Sequence, residues 1–146
     1  MVELLVVLGI IALLVTISIP LLLPALRESQ LEAAADELKT RFSATRDLAI
    51  SHNTFTRVTF NTSNGTYSVL EYDPDNAEWA QVGATHSLPE QIVFPGGGVS
   101  FAGGEATFDP YGSLMGGGTV KLQHTYGGSQ VTLVAIIAVG KLKEEG

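Results

Sequence analysis

The sequence predicts an α+β fold, a long N-terminal α-helix packed on a C-terminal antiparallel β-sandwich, from three features of its patterning. Residues 4–26 form an uncharged run of 23, LLVVLGIIALLVTISIPLLLPAL. Apolar and small residues then recur every three or four positions from Leu31 to Ala49, the spacing of one helix face. Beyond Thr54 the apolar period falls to two and glycines punctuate the chain at short intervals. With 146 residues there is room for one domain of ordinary size. Its expected divisions are a hydrophobic helix over 1–26, an amphipathic continuation over 27–53 and an antiparallel β domain over 54–146.

The first run is long enough to cross a bilayer, because a helix rising ~1.5 Å per residue covers the ~30 Å hydrocarbon layer in about 20 residues. It does not read as a secretory signal: no basic residue precedes it and no small-x-small cleavage site follows. Glu3 stands at its start, where a carboxylate near lipid is costly and calls for a partner. The nearest cation, Arg27, lies on the C-terminal side and by itself would orient the polar domain toward the cytoplasm, so a basic leader before Met1 is expected. Pro20 and Pro24 each remove a backbone donor and crowd the carbonyl four residues back, which predicts a kink or short melted stretch over 18–24.

The amphipathic continuation carries Leu31, Ala34, Ala35, Leu38, Phe42, Thr45, Leu48 and Ala49 on one face. Its other face is charged, and Glu37 sits four residues before Arg41, the spacing of a supporting ion pair. The helix is expected to end at His52 and Asn53, since Asn tolerates the left-handed cap and β-branched residues follow. Strands are then expected at 55–60, 67–72, 79–82, 92–94, 99–101, 106–108, 119–124 and 130–139. Asn64-Gly65 signals a hairpin and Asp73-Pro74-Asp75-Asn76 a type I turn or slightly longer loop. The last segment, VTLVAIIAV, is apolar on both faces and belongs in the middle of the domain.

Composition narrows the function. A net charge of −7 disfavours a general nucleic-acid surface, and zero cysteines exclude disulfides, thiolate metal sites and thiol nucleophiles. His52, His86 and His124 are scattered without ligand spacing and read as surface or turn residues; Ser51 beside His52 is adjacency rather than a triad. Asp73, Asp75 and Glu78 lack the ligand pattern of a calcium loop, and no phosphate-binding glycine loop or nucleophile elbow occurs. No catalytic residue, metal or cofactor is expected, and the chain reads as a non-enzyme. Lys141 and Lys143 form a small basic tip followed at once by Glu144 and Glu145, which reads as a solvated terminus and only weakly as a phosphate contact.

The run Met1-Val2-Glu3-Leu4-Leu5-Val6-Val7-Leu8-Gly9-Ile10-Ile11-Ala12-Leu13-Leu14 resembles the class III signal and helix of type IV prepilins, commonly written FTLIELMVVLAIIGIL, and Pro20 falls where that family has its helix proline. The Phe-Thr pair and the glycine before it are absent, and Met1 replaces the usual Leu. Within this type IV pilin-like superfamily the rest is most similar to the GspH/FimT group of minor pseudopilins and minor pilins. Ala44 to Ile50 resembles the group's "AR..AI" helix end, Phe108-Asp109-Pro110-Tyr111-Gly112 its "F.p.G" turn, and Gly140-Lys141-Leu142-Lys143 its terminal G-R-x-R with lysine for both arginines.

The resemblance implies a pilin-like fold and a structural subunit of a type II secretion or type IV pilus-like filament that helps initiate or cap assembly. It also implies processing by prepilin peptidase with methylation, an inner-membrane assembly platform, membrane lipid and other pilins or pseudopilins as partners, and a globular domain in the bacterial periplasm on a single-pass anchor. Glu3, Gly9 and Pro20 are the implied assembly residues, Glu3 pairing with the N-terminal amine of a neighbouring subunit. Two other readings compete. Relatives ending in G-R-x-R suggest DNA capture for natural transformation through Lys141 and Lys143, against which the acidic total counts. The other is a membrane-anchored binding domain that never polymerises.

Overall fold

The computed structural model describes residues 2–128, 130–136 and 141–145, without the side chains of 17–21, 134–136, 141 and 145. The chain divides into two compact units, Met1–Gln30 and Leu31–Gly146. One helix, α1 (Val2–His52), supplies all of the first unit's described structure and the opening of the second. Its helical assignment passes through Pro20 and Pro24 without a break, so the expected melted stretch does not occur. A bend at Pro20 concerns residues 17–21, whose side chains lie outside the described set.

In the second unit eight strands follow: β1 (Thr56–Asn61), β2 (Thr66–Asp73), β3 (Glu78–Ser87), β4 (Ile92–Val93), β5 (Glu105–Phe108), β6 (Gly118–His124), β7 (Gln130–Ile136) and β8 (Lys141–Glu145). They form two four-stranded antiparallel sheets, ordered β3-β2-β1-β5 and β4-β6-β7-β8.

The helix stripe read from the sequence is the buried face of α1. Leu31, Ala34, Ala35, Leu38, Phe42, Thr45 and Ala49 are all buried, whereas Leu48 is only half-buried. Phe42 sits at the centre, 4.8 Å edge-on from Phe108 of β5 and 6.2 Å from Phe101; Phe60 of β1 stacks on Phe101 and meets Phe94 edge-on. Leu122 and Leu133 bring the second sheet into the same core. Thr45 and Thr56 are polar exceptions whose hydroxyls are bonded: Thr45 donates to the Arg41 carbonyl, and Thr56 donates at 2.8 Å to the Thr45 carbonyl, tying β1 to the helix.

The helix ends as expected, and the reason is geometric. Asn53 takes φ of 53°, its N–H reaches the Ile50 carbonyl at 3.4 Å, and the Thr54 N–H reaches Ala49 at 3.2 Å. This is the Schellman arrangement, which satisfies carbonyls the helix would otherwise leave open. The β1–β2 hairpin is also where Asn64-Gly65 placed it, with Asn61 accepting the N–H groups of Ser63 and Asn64 through its side chain.

Four expectations need correction. The strand at 79–82 extends to Ser87, because Gly83, at φ of 76°, absorbs an irregularity between the Tyr67 and Val69 pairings rather than ending the strand. Residues 99–101 form no strand; Val99 makes a single bridge to Val120, and Pro95 with its glycine turn leaves only Ile92–Val93 as β4. The strand expected at 130–139 is described over 130–136 as β7, its last three positions lying outside the described residues, and it pairs with a further strand, β8, from Thr132↔Glu145 to Ile136↔Lys141. Residues 141–145, read as a solvated terminus, form an edge strand on which Lys143 and Glu144 are exposed. Its charges hid it in the sequence, yet Glu144 is held by Lys39 of α1 at 3.0 Å.

The outward face of the first sheet carries the single tryptophan. Trp79 and Tyr72 are cross-strand partners in edge contact at 5.4 Å, and the Arg57 guanidinium lies 4.2 Å over the indole while bonding Glu105 at 2.6 Å.

Candidate functional site

Chemistry that turns over a substrate needs convergent polar groups, and the sequence's candidates do not converge. His52 Nδ1 lies 2.7 Å from Glu71 Oε1, His86 stacks on Tyr67, and Ser51 donates to the Leu48 carbonyl rather than to any histidine. His124 corrects the surface reading: it is 3% exposed, with Nε2 3.2 Å from Gln91 Oε1 and its ring 5.5 Å from Tyr126. The Asp73 turn is built from its own side chain, which accepts the Asp75 N–H and the Asn76 amide. The Asn76 bond and then the Asp75 N–H hold the Asp73 carboxyl below its ordinary range. Among the described residues no group of three His, Cys, Asp or Glu side chains is placed to hold a metal ion.

The feature that demands a function is the first unit. Every described large apolar side chain from Val2 to Leu26 is between 45% and 74% exposed, on all sides of the helix. Glu3 lies in the first turn, where the helix dipole favours a negative charge, and it is exposed. Gly9 has open space where a Cβ would stand, so no contact within the chain requires glycine there. Thr16 returns its hydroxyl to the Ala12 carbonyl at 2.7 Å, which lets a polar residue sit in an apolar stretch. Among the described residues no helix is long and apolar enough to cross a membrane; residues 17–21, with Pro20, lie inside the 23-residue uncharged run and their side chains are outside the described set.

Of the two tip lysines, Lys143 is exposed on β8 and the Lys141 side chain is outside the described set. Between them Leu142 packs against the core, and Glu144 beside them is engaged by Lys39. The Phe108-to-Gly112 motif has a clear structural task that the sequence alone did not reveal. Asp109 accepts the N–H groups of Tyr111 and Ser113, and Arg46 of α1 donates to the Gly112 carbonyl at 3.1 Å. Gly112 takes φ of 78°, which strains any side chain, and a Cβ there would stand 2.6 Å from Ile50 Cδ1 and push that side chain aside, so glycine suits this turn. An Asp opening a turn with Gly three residues on was the available signal.

This two-sheet unit, with one helix stripe as its spine, matches the family model described as Type II transport protein GspH over residues 34–140. The chain belongs to the GspH family. Solved structures similar to this GspH-family chain include two of the minor pseudopilin EpsH from the type 2 secretion system of Vibrio cholerae. One has 13% identity and a TM-score of 0.62 over 80% of this chain and 97% of that one. The other has 12% identity and a TM-score of 0.64 over 83% and 98%. The type IV minor pilin FimU of Pseudomonas aeruginosa is similar at 16% identity and a TM-score of 0.62, covering 82% of this chain and 90% of its own. No curated protein matches the sequence. The pilin-like α+β fold is therefore that of this family, and the chain, like its family, is a structural protein and not an enzyme.

Proposed function

We propose that the chain is a minor pseudopilin or minor pilin that enters a type II secretion or type IV pilus-like filament through residues 1–26 and helps initiate or cap its assembly. The supporting observation is the all-round exposure of the described apolar side chains between residues 2 and 26 in a GspH-family chain. A helix apolar on every side needs an apolar surround, which is lipid before assembly and the helices of neighbouring subunits after it. Moving between the two exchanges one apolar medium for another. In this reading residues 4–26 anchor the precursor in the inner membrane with the globular unit in the periplasm, 27–53 join anchor to head, and 54–146 form the head. Prepilin peptidase, methylation and the assembly platform belong to the same route.

Glu3 then has a task. A carboxylate surrounded by apolar side chains is stable only beside a cation, and the N-terminal amine of an adjacent subunit would set the axial register. Gly9 and Pro20 act with it, as a site of close helix approach and as a helix bend. Glu3→Leu is expected to leave membrane insertion intact while incorporation into filaments, measured by co-purification with sheared filaments, falls severalfold; unchanged incorporation rejects the pairing. The competing reading, a DNA-binding minor pilin using Lys141 and Lys143, predicts a gel shift of short duplex DNA at low salt that disappears at high salt. With Glu144 beside them and a net charge of −7, no shift at low salt is the expected result.

A further inference from the structure

The first sheet ends at β3. Beyond β3 no further strand pairs with it among the described residues, although β3 runs for ten residues. The other edges are shorter or charged: β4 has two residues, β5 four, and β8 reads KLKEE. Edge strands that face only water are usually kept short or charged, because their open backbone groups invite another strand. In β3 the only acidic or basic side chains besides His86 belong to its first residue, Glu78, and the strand has no proline.

Alongside β3 lies a groove of about 340 Å³, bounded by Arg41, Ala44 and Leu48 of α1 and by Val82, Ala84 and His86 of β3. Leu48 belongs to the core stripe by its spacing, and Val82 pairs with Val69 across the sheet, yet both are left half-buried. Gly83, where the register slips, also lines the groove, and Gln81 spans that irregularity by donating to the Gly83 carbonyl and the Thr85 hydroxyl. The free length of the edge is therefore 78–82, leading into the groove. In a chain of net charge −7, the groove's lining residues include an arginine and a histidine and no carboxylate. Arg41 is itself paired, loosely at 4.0 Å, with Glu37 on the same helix, and both side chains remain partly exposed.

We propose that this groove receives an extended segment of another protein chain, added as a strand beside β3, with an apolar side chain against Leu48 and Val82 and a carboxylate toward Arg41 and His86. Main-chain pairing to 78–82 supplies the attachment, the apolar slot selects the side chain, and the Arg41 end selects the charge. This inference is independent of how residues 1–26 act.

The test uses the full chain, ¹⁵N-labelled in detergent micelles, titrated with acetyl-Thr-Val-Thr-Val-Glu-amide and with the same peptide ending in Lys-amide. The expected result is a saturable shift of the amides of 44–48 and 78–86, with the Glu peptide binding about tenfold more tightly than the Lys peptide. Arg41→Gln should remove most of that preference. Ala44→Phe, a substitution at an exposed helix position that fills the slot, should abolish binding without lowering the melting temperature. Absence of a saturable shift, equal affinity for the two peptides, or unchanged binding by Ala44→Phe would each overturn the proposal.

Discussion

Residues 2–26 and 31–49 share one helix and nothing else. In the first stretch the described large apolar side chains are exposed around the whole circumference, and in the second seven residues on one stripe are buried while the opposite face is charged. Helical geometry is the same in both, so the contrast lies in the source of stability. The lower stretch is held by packing against two sheets. The upper stretch is held by its own backbone bonds and by the low cost of helix in a sequence rich in Leu. The stability of the folded unit is thus carried by one part of the element, and, on the proposed function, assembly by the other; substitutions should separate them.

The largest separation is expected at Phe42. Phe42→Ala leaves a cavity among Phe101, Phe108 and the helix stripe and should cost about 3–5 kcal/mol, read as a lower melting temperature of the full chain in detergent. Leu8→Ala in the upper stretch should change that temperature by less than about 0.5 kcal/mol equivalent. Equal effects would break the comparison.

Next comes the turn docked on the lower helix. Gly112→Ala meets Ile50 Cδ1 at 2.6 Å and forces a side chain onto a φ of 78°, so a loss of about 2 kcal/mol is expected. Adding Ile50→Ala should return the steric part and leave the backbone part, a non-additivity that a double-mutant cycle detects. At the helix end Asn53→Val should cost about 1 kcal/mol or more, and Asn53→Gly close to nothing, since only the former opposes the left-handed conformation.

The smallest effect concerns Lys39. Its hydrogen bond with Glu144 outweighs partial burial and, with Asp36, raises its pKa above the ordinary 10.5. A raised folded-state pKa means that the pair's contribution is complete below the unfolded value and fades as pH climbs through the folded one. Lys39→Met should therefore lower stability at pH 7 by no more than about 1 kcal/mol and flatten the alkaline limb above pH about 10. Tyr67 shares that limb, because burial, with Glu37 behind it, raises its phenol as well. Tyr67→Phe separates the two contributions in the same titration.

How much of this was legible depended on whether the deciding interaction was local. The buried stripe, the Asn53 ending and the first hairpin follow from spacing and turn chemistry within a few residues. By contrast, β3 continues through Gly83 because Tyr67 and Val69 bracket an irregularity on another strand, and a lone glycine cannot reveal that. The β8 strand was hidden because an edge needs only one apolar contact, Leu142, and its charges read as solvation until Lys39 is found opposite Glu144. For the candidate site, the absence of charge over 4–26 is plain in the sequence, while the roles proposed for Glu3 and Gly9 rest on family likeness alone. The groove beside β3 was invisible, because it depends on where a sheet stops.

The position of Trp79 has a practical outcome for every melting experiment above. The chain's single indole lies on the outer surface of one sheet, capped by a guanidinium, whereas the interior is a cluster of phenylalanine rings. Intrinsic emission will consequently register loosening of the Arg57–Glu105 clasp and can change before or after the interior does. Near-ultraviolet dichroism in the phenylalanine band is the signal that reports the collapse of the centre, and the two traces need not coincide.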